Sequence, residues 1–256
     1  MSNHTITNNW AKFSPRDYLH EYYSDVGSEN LALLQFAVKA FRDIPSNGVL
    51  LDFGGGPTIY PLIAAANKVV EIHFCDYLDA NLNEIRQWLQ GHPSAFDWHA
   101  FVKITLELEH QNNDVAQSIS QRETLIRHRV TQVFKCDANN SPPISEPHTY
   151  DILVTNFCAE SATGERAQWR RFFHNIMSLV KPEGTVLLST LKGATSYSVG
   201  EKIFPAVNIK EDDLTQALTE EGFDAHSMVI ESVPADRSSR KYEGLIMAKA
   251  RKLVDR

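Results

Sequence analysis

An apolar run, Val49-Leu50-Leu51, ends at Asp52, and Gly54, Gly55 and Gly56 stand immediately before Pro57. A run of this kind followed by glycines is a strand feeding a tight turn, where bare backbone tolerates positive φ and lets a ligand approach closely. Pro57 loses nothing at a first helical position and is expected to open the helix that follows. Asp52 narrows the reading further. A pyrophosphate held against this turn would be repelled by a carboxylate beside it, whereas a ligand bearing an ammonium group and no phosphate would be attracted. An ordinary glycine-rich turn with no ligand is the other reading of this string alone.

The same alternation recurs along the chain and predicts an α/β sheet. A helix over Leu31–Phe41 leads into a first strand at Val49–Phe53. Val69–Cys75 reads as the second strand and Val130–Lys135 as the third, with a helix over Asn81–Gln90 between them. Residues 109–124 are polar and read as helical or loose. Tyr150–Phe157 makes a fourth strand. Trp169, Phe172, Phe173, Ile176, Met177 and Val180 then recur at helical spacing. Lys181-Pro182-Glu183-Gly184 is expected to end that helix before a fifth strand at Thr185–Thr190. A helix near Asp212–Glu221 and an antiparallel pair, His226–Val233 with Gly244–Ala250, complete the pattern.

With 256 residues, 43% of them hydrophobic, the chain can bury a full core, and one domain over residues 1–256 is expected. The net charge is −7 and no run of Lys or Arg exceeds two residues, which disfavours nucleic acid as a partner. The opening MSNHTITNNW is polar, and no stretch approaches a membrane span. Cys75, Cys136 and Cys158 are odd in number and far apart, so a reducing cytoplasm is expected. The ten histidines include no pair at i, i+4, and no metal is expected. A monomer is the expected state.

Doubly wound sheets bind ligands at the carboxyl ends of their strands, and those positions are rich in chemistry here. Asp76 ends the second strand, 24 residues beyond Asp52, where a carboxylate can accept both hydroxyl protons of an adenosine ribose. Cys136-Asp137-Ala138 follows the third strand, and Asp137 could meet an adenine amino group. A loop acid at Asp76 and a plain turn at Asp137 are the alternatives for each residue alone. Asp52, the glycines, Asp76 and Asp137 on three successive strand ends point together to S-adenosylmethionine as cofactor, leaving S-adenosylhomocysteine as product.

Several strings carry a family resemblance. Ser14-Pro15-Arg16-Asp17-Tyr18-Leu19 with Tyr22-Tyr23, Gly56-Pro57-Thr58-Ile59-Tyr60, Asp76-Tyr77 with Asn81-Leu82, Ala95-Phe96-Asp97-Trp98, and Tyr197 with Gly200-Glu201 and Phe204 make up the set. From Phe13 to Lys249 the chain resembles the small-molecule amine N-methyltransferases that include the nicotinamide, phenylethanolamine and indolethylamine enzymes; the likeness is weakest over residues 100–130. The resemblance implies a Rossmann-like class I methyltransferase fold, a doubly wound and mostly parallel sheet of seven strands. It also implies a helical cap, with residues 1–30 as a lid over the cofactor. By motif match, Tyr18, Tyr23, Gly54, Tyr60, Asp76, Asn81, Asp137 and Ala138 would contact the cofactor. Asp52, Gly55, Gly56, Thr58 and Tyr77, with Asn156 and Phe157 at the end of the fourth strand, are the other expected cofactor contacts. Stiff tyrosine rings suit such a lid, since each can aim one hydroxyl at a carboxylate. Plain packing on the core is the other reading of the N-terminal tyrosines.

The acceptor side follows from Thr155-Asn156-Phe157-Cys158-Ala159-Glu160-Ser161. Glu160 stands where relatives carry an acid beside the acceptor amine. An amine attacks as a neutral nitrogen and leaves as an ammonium, so a carboxylate there stabilises the charge that forms and could accept a proton. A loop acid is the alternative. Tyr18, Phe157, Ser161, Ser189 and Tyr197 are the other expected acceptor contacts. Two departures from the nicotinamide enzymes argue against that acceptor: Ser189-Thr190 replaces an Asp near the fifth strand's end, and Ala206 replaces a Ser. The loop Asp236-Arg237-Ser238-Ser239-Arg240-Lys241-Tyr242-Glu243 is basic where phenylethanolamine enzymes carry an acid. Arg240 or its basic neighbours could therefore read an acidic group on the acceptor, a solvated turn being the alternative. Transfer to oxygen, sulfur or selenium on the same scaffold, and a catalytically silent cofactor-binding protein, are competing functions. A nicotinamide-dependent oxidoreductase fits less well, for no Tyr-x-x-x-Lys string supplies a proton donor.

Overall fold

The computed structural model describes residues 6–110, 115–146, 148–237 and 240–254. Residues 1–5 of the expected lid, 111–114 of the polar stretch, Ser238 and Ser239 of the basic loop, and the two last residues lie outside the described residues. The strands are β1 (Gly48–Phe53), β2 (Val69–Asp76), β3 (Val130–Lys135), β4 (Tyr150–Asn156), β5 (Val180–Lys192), β6 (Ser196–Val199), β7 (Lys202–Pro205), β8 (Val229–Pro234) and β9 (Gly244–Arg251). Seven of them form one sheet in the order β3-β2-β1-β4-β5-β9-β8, and β6 pairs with β7 in a separate hairpin. The first five positions of the sheet are parallel; β9 runs antiparallel to both β5 and β8. Order reverses between β1 and β4, and it is there that a doubly wound sheet opens a crevice.

Side chains alternate across the sheet with period two. Leu50, Ile152, Val154 and Leu187 face one apolar cluster. On that face pack α2 (Ser28–Arg42), α3 (Tyr60–Ala65), α4 (Asp79–Leu89), α5 (His99–Leu108) and α6 (Val115–Arg129). Leu51, Phe53, Leu153, Val186 and Leu188 face the other, under α7 (Arg166–Met177) and α8 (Glu211–Glu220). Strands buried on both faces read as continuous apolar runs, which is why the sequence placed them well.

Several boundaries differ from expectation, three of them with a local cause. The helix after the glycines starts at Tyr60 rather than Pro57, because Thr58 N–H and Oγ1 both turn back to the Gly55 carbonyl. Pro61 is the proline in its first turn. Next, α7 ends at Met177, so Val180 belongs to β5, paired with Tyr150. The string Lys181-Pro182-Glu183-Gly184 is an irregularity inside that pairing, where Glu183 takes φ +63°. Finally, the last antiparallel pair starts at Val229, a 3-10 turn occupying Ala225–Ser227. The helix α5 and the β6–β7 hairpin were not expected; α5 buries Phe101, Val102, Thr105 and Leu106 at helical spacing.

Before the sheet, Pro15–Tyr23 forms α1, capped by the Ser14 side chain on Asp17 N–H. It packs beside α4 and β6. Tyr22 donates its hydroxyl to Ser198 O at 2.8 Å, and Gly200 N–H reaches Glu21 Oε2 at 3.2 Å. Trp10 stacks on Phe204 with ring centroids 5.0 Å apart. A roof of α1 and the hairpin thus covers the carboxyl edge of the sheet.

Candidate active site

Beneath that roof lies a cavity of about 410 Å³, a size that suits a small organic ligand. Its floor begins at the glycine turn. Gly54 and Gly55 donate to the Cys75 carbonyl at 2.9 and 3.2 Å, which ties the turn to the end of β2. Gly54 takes φ +67°, and a Cβ there would collide with the Cys158 thiol. A Cβ on Gly55 would lie 2.5 Å from the Phe74 ring. Gly56, at φ +62°, has nothing within 4 Å of where a Cβ would stand. The turn therefore needs glycine for packing at two positions, and at the third it leaves space.

Asp76 is buried and accepts three hydrogen bonds: Gly56 N–H on Oδ2 at 2.9 Å, and Leu78 N–H at 2.8 Å and Asn81 Nδ2 at 3.0 Å on Oδ1. Burial raises its pKa, offset by those donors. A carboxylate has about four acceptor sites, so three bonds leave room for one more. Asn81 Oδ1 is buried with no partner among the described residues, which supplies a second acceptor next door. Asp137 and Ala138 line the cavity after β3, half-buried; Asp137 also closes its own turn, accepting Asn139 N–H at 2.9 Å.

Asp52 does not line the cavity. It lies under the turn, 1% exposed, with its carboxyl carbon 3.0 Å from the position of a Cβ on Gly55. Neither carboxylate oxygen has a partner among the described residues, and burial plus the nearby Asp76 push its pKa well up. A buried carboxylate left without a donor is costly unless a ligand supplies a positive charge or N–H. Asp52 is not a contact residue of the cavity as expected; it lies beneath the turn that a methionine ammonium would meet.

Tyrosines close the chamber. Tyr18 lies 5.1 Å from Tyr22 and 5.6 Å from Tyr23, and Tyr23 stacks on Tyr60 at 5.5 Å. Burial raises the pKa of Tyr18, Tyr23 and Tyr60, so they stay protonated donors. The Tyr60 hydroxyl has no partner among the described residues. Tyr77 and Thr58 line the cavity as well; Tyr77 is exposed at 53%, while Thr58 donates to Gly55 O.

At the β4–β5 end the wall is Asn156, Phe157, Cys158, Ser161 and Tyr197. Phe157 adopts φ +52°, an uncommon conformation for a bulky residue, and is fixed there by its N–H donating to Ser189 O at 2.7 Å. Tyr197 stacks on Phe204 at 5.7 Å and its hydroxyl donates to Ser161 O at 3.3 Å.

Three expected acceptor contacts stand elsewhere. Glu160 is behind the wall, 3% exposed; its Oε1 accepts Leu191 N–H at 3.2 Å and Ser161 Oγ at 3.1 Å. Burial pushes its pKa up to about 7, and its charge acts on Tyr18, Tyr60 and Tyr197 on the cavity side. Ser189 is buried outside the lining. Arg240 is also outside it, held by Asp236 at 3.4 Å and Glu21 at 3.6 Å with its guanidinium 4.3 Å above the Tyr22 ring. Conversely, the cavity includes Glu29, Leu33, Tyr242 and Leu245, none of which the sequence singled out as site residues.

The likeness to known proteins agrees with this architecture. The chain is 32% identical to human nicotinamide N-methyltransferase over 252 residues, covering 95% of this chain and 94% of that one. It is 31% identical to rabbit (Oryctolagus cuniculus) indolethylamine N-methyltransferase, with 94% and 93% covered. For mouse phenylethanolamine N-methyltransferase the identity is 29%, with 88% and 79% covered. Among solved structures, an S-adenosylmethionine-dependent methyltransferase from Methanosarcina mazei superposes with a TM-score of 0.57 at 13% identity, covering 84% of this chain and 96% of that one. The glycopeptide N-methyltransferase MtfA superposes at 0.53 and 14% identity, with 90% and 91% covered. These are the fold of class I methyltransferases. With residues 4–253 matching its family model, the chain belongs to the NNMT/PNMT/TEMT family.

Proposed function

We propose that a small-molecule amine other than nicotinamide accepts a methyl group in this cavity. The protein is an S-adenosylmethionine-dependent N-methyltransferase. The observation that carries the reading is one chamber with cofactor-type groups at its β1–β3 end and an aromatic wall at its β4–β5 end.

When bound, the cofactor supplies an electrophilic methyl group on a sulfonium. The glycine turn would hold its ammonium, with Asp52 beneath the turn and out of contact, and Tyr18, Tyr23 and Tyr60 would hold its carboxylate. Asp76 and Asn81 Oδ1 would each take a ribose hydroxyl, and Asp137 and Ala138 would border the adenine. Toward the acceptor, Phe157, Tyr18 and Tyr197 orient the nucleophile, which is the main task in an in-line displacement. Glu160 supplies negative charge from behind Ser161 where an ammonium forms, in surroundings that amplify it. The roof excludes water from a step in which charge disperses.

An acidic group on the acceptor would have to draw Arg240 away from Glu21 and Asp236. A neutral or cationic amine needs no such change and is the reading favoured here. Ser189 and Ala206 offer no carboxamide recognition on the lining, which supports an acceptor other than nicotinamide. Among the described residues no helix is long and apolar enough to cross a membrane. Three free thiols support a reducing cytoplasm, and exposed large apolar side chains scattered from Ile6 to Val254 support a monomer working as one domain with residues 1–30 as its lid. The test is a mass-spectrometric screen of an amine library with labelled S-adenosylmethionine. One or more amines should be methylated, and nicotinamide turned over as fast as the best of them would overturn the proposal.

A further inference from the structure

The far end of the cavity, beyond β5, holds a carboxylate that the reaction outlined above does not use. Glu29 sits in the first turn of α2, 6% exposed, on the cavity wall. An acid there commonly serves the helix's own N–H groups. Glu29 does not: its Oε2 accepts the Tyr242 hydroxyl at 2.9 Å, from a residue 213 positions away. No donor meets its Oε1 at hydrogen-bond distance and angle among the described residues, although the Asp236 N–H lies near enough to stabilise the carboxylate.

Position decides which ligand it faces. Among the described residues, the carboxylates lining the cavity are Asp76, Asp137 and Glu29. Asp76 and Asp137 end β2 and β3, on the cofactor side of the sheet order. Tyr242 stands just before β9, on the other side of β5. The link to the acceptor wall is direct: Glu160 holds Leu191, Leu191 pairs with Leu245 across β5 and β9, and both leucines line the cavity beside Tyr242. Glu29 is therefore the acid that meets the acceptor end.

Local charge favours a cation. Arg240 acts on Glu29 from a distance, but its ion pairs are with Asp236 and Glu21. Arg237 is half exposed, near Asp25 and Asp236. Four carboxylates, Glu21, Asp25, Glu29 and Asp236, thus share two guanidiniums. The corner holds more carboxylates than guanidiniums, and Glu29, on the cavity wall, keeps one buried oxygen for which no partner is found among the described residues.

We propose that Glu29, with Tyr242, is an acceptor-binding site for a second, protonated nitrogen, so that the acceptor is a diamine or an aromatic amine with a basic side arm. An ammonium has no lone pair, so the nitrogen clamped there is not the one methylated. The clamp anchors one end of the molecule and leaves a neutral nitrogen at the other to face Glu160. This assignment rests on the amine-methyltransferase reading and adds to it a substrate class and two residues.

The test uses a matched pair, 4-(aminomethyl)aniline and 4-methylaniline, whose ring nitrogens are both neutral at about pH 7.5 while the diamine alone carries an ammonium, titrated calorimetrically at that pH into the protein saturated with S-adenosylhomocysteine. Wild type should bind the diamine about tenfold or more tightly than the monoamine, as a buried charge-assisted contact implies. In Glu29→Gln, which keeps the shape and the Tyr242 bond, that preference should fall below about twofold, and Glu29→Asp should be intermediate. Affinity for S-adenosylhomocysteine should be unchanged in both variants, which separates loss of the clamp from loss of the fold. A wild type that binds S-adenosylhomocysteine but shows no preference, or a preference that survives in Glu29→Gln, overturns the assignment alone. A wild type that does not bind S-adenosylhomocysteine overturns the reading beneath it as well.

Discussion

Leu191 donates its backbone N–H to Glu160 Oε1 at 3.2 Å. That bond, with the Ser161 hydroxyl, fixes a buried carboxylate between the ends of β4 and β5, where its charge acts on Tyr18, Tyr60 and Tyr197 of the cavity while its oxygens stay behind the wall. Its removal should therefore cost rate more than binding. Glu160→Gln is expected to slow single-turnover methylation on the order of 10²-fold, with S-adenosylhomocysteine affinity little changed. A fall of less than about threefold would reduce Glu160 to a structural acid.

The same burial makes stability depend on pH. The folded pKa of Glu160, about 7, lies above its ordinary value of 4.5, so the native state binds more protons than the unfolded chain between those values. Glu160 thus favours folding most at low pH, and that contribution is lost as pH rises through 7. Between pH 5 and 8 wild type should lose roughly 2–3 kcal/mol relative to Glu160→Gln, read by urea unfolding of both proteins. Parallel pH curves would show that the group is not buried as described.

Asp76 and Asn81 divide the ribose between them in this reading. Asp76→Asn should weaken S-adenosylhomocysteine binding by about 1.5–3 kcal/mol, the range for a hydrogen bond to a charged acceptor. Calorimetry is the check, with NAD as a control that should not bind, because its pyrophosphate would lie over the turn that covers Asp52. Unchanged affinity for S-adenosylhomocysteine would move the ribose elsewhere.

The glycine turn offers two alanine substitutions with different outcomes. Gly54→Ala combines φ +67° with a collision against Cys158, and should destabilise the protein by about 2–4 kcal/mol in urea unfolding. Gly56→Ala has the same strain at φ +62° but open space, so it should cost only about 1 kcal/mol of stability. Its methyl projects where the backbone meets ligand, and it should weaken S-adenosylhomocysteine more than Gly54→Ala weakens it per unit of stability lost. Equal effects at both positions would contradict this geometry.

Where the sequence was legible, a local rule was enough. Buried parallel strands are apolar runs, and the turn chemistry of Gly54, Gly55 and Gly56 and the terminal acid Asp76 follow them in register. Depth was not legible: nothing in the string around Glu160 tells a wall residue from one behind the wall, since only the Leu191 bond from another strand sets it. Arg240 reads as a free cation until Glu21 and Asp236 are brought to it. Glu29 precedes the expected helix over Leu31–Phe41 and carried no signal of its own, since its partner Tyr242 is remote in sequence. The β6–β7 strands are four residues each, too short to show a period.

The roof has a consequence for the order in which the molecule is made. Tyr22 and Ser198, which latch it, are 176 positions apart, and Tyr242 and Leu245 complete the wall later still. A nascent chain halted at residue 190 would already carry the glycine turn, Asp76, Asp137 and Glu160. It would have neither hairpin to receive Tyr22 and Trp10 nor the β9 strand that pairs with β5. The groups proposed to meet ligand are thus synthesised before residue 190, while the chamber that would let them act waits for the hairpin and β9 to follow.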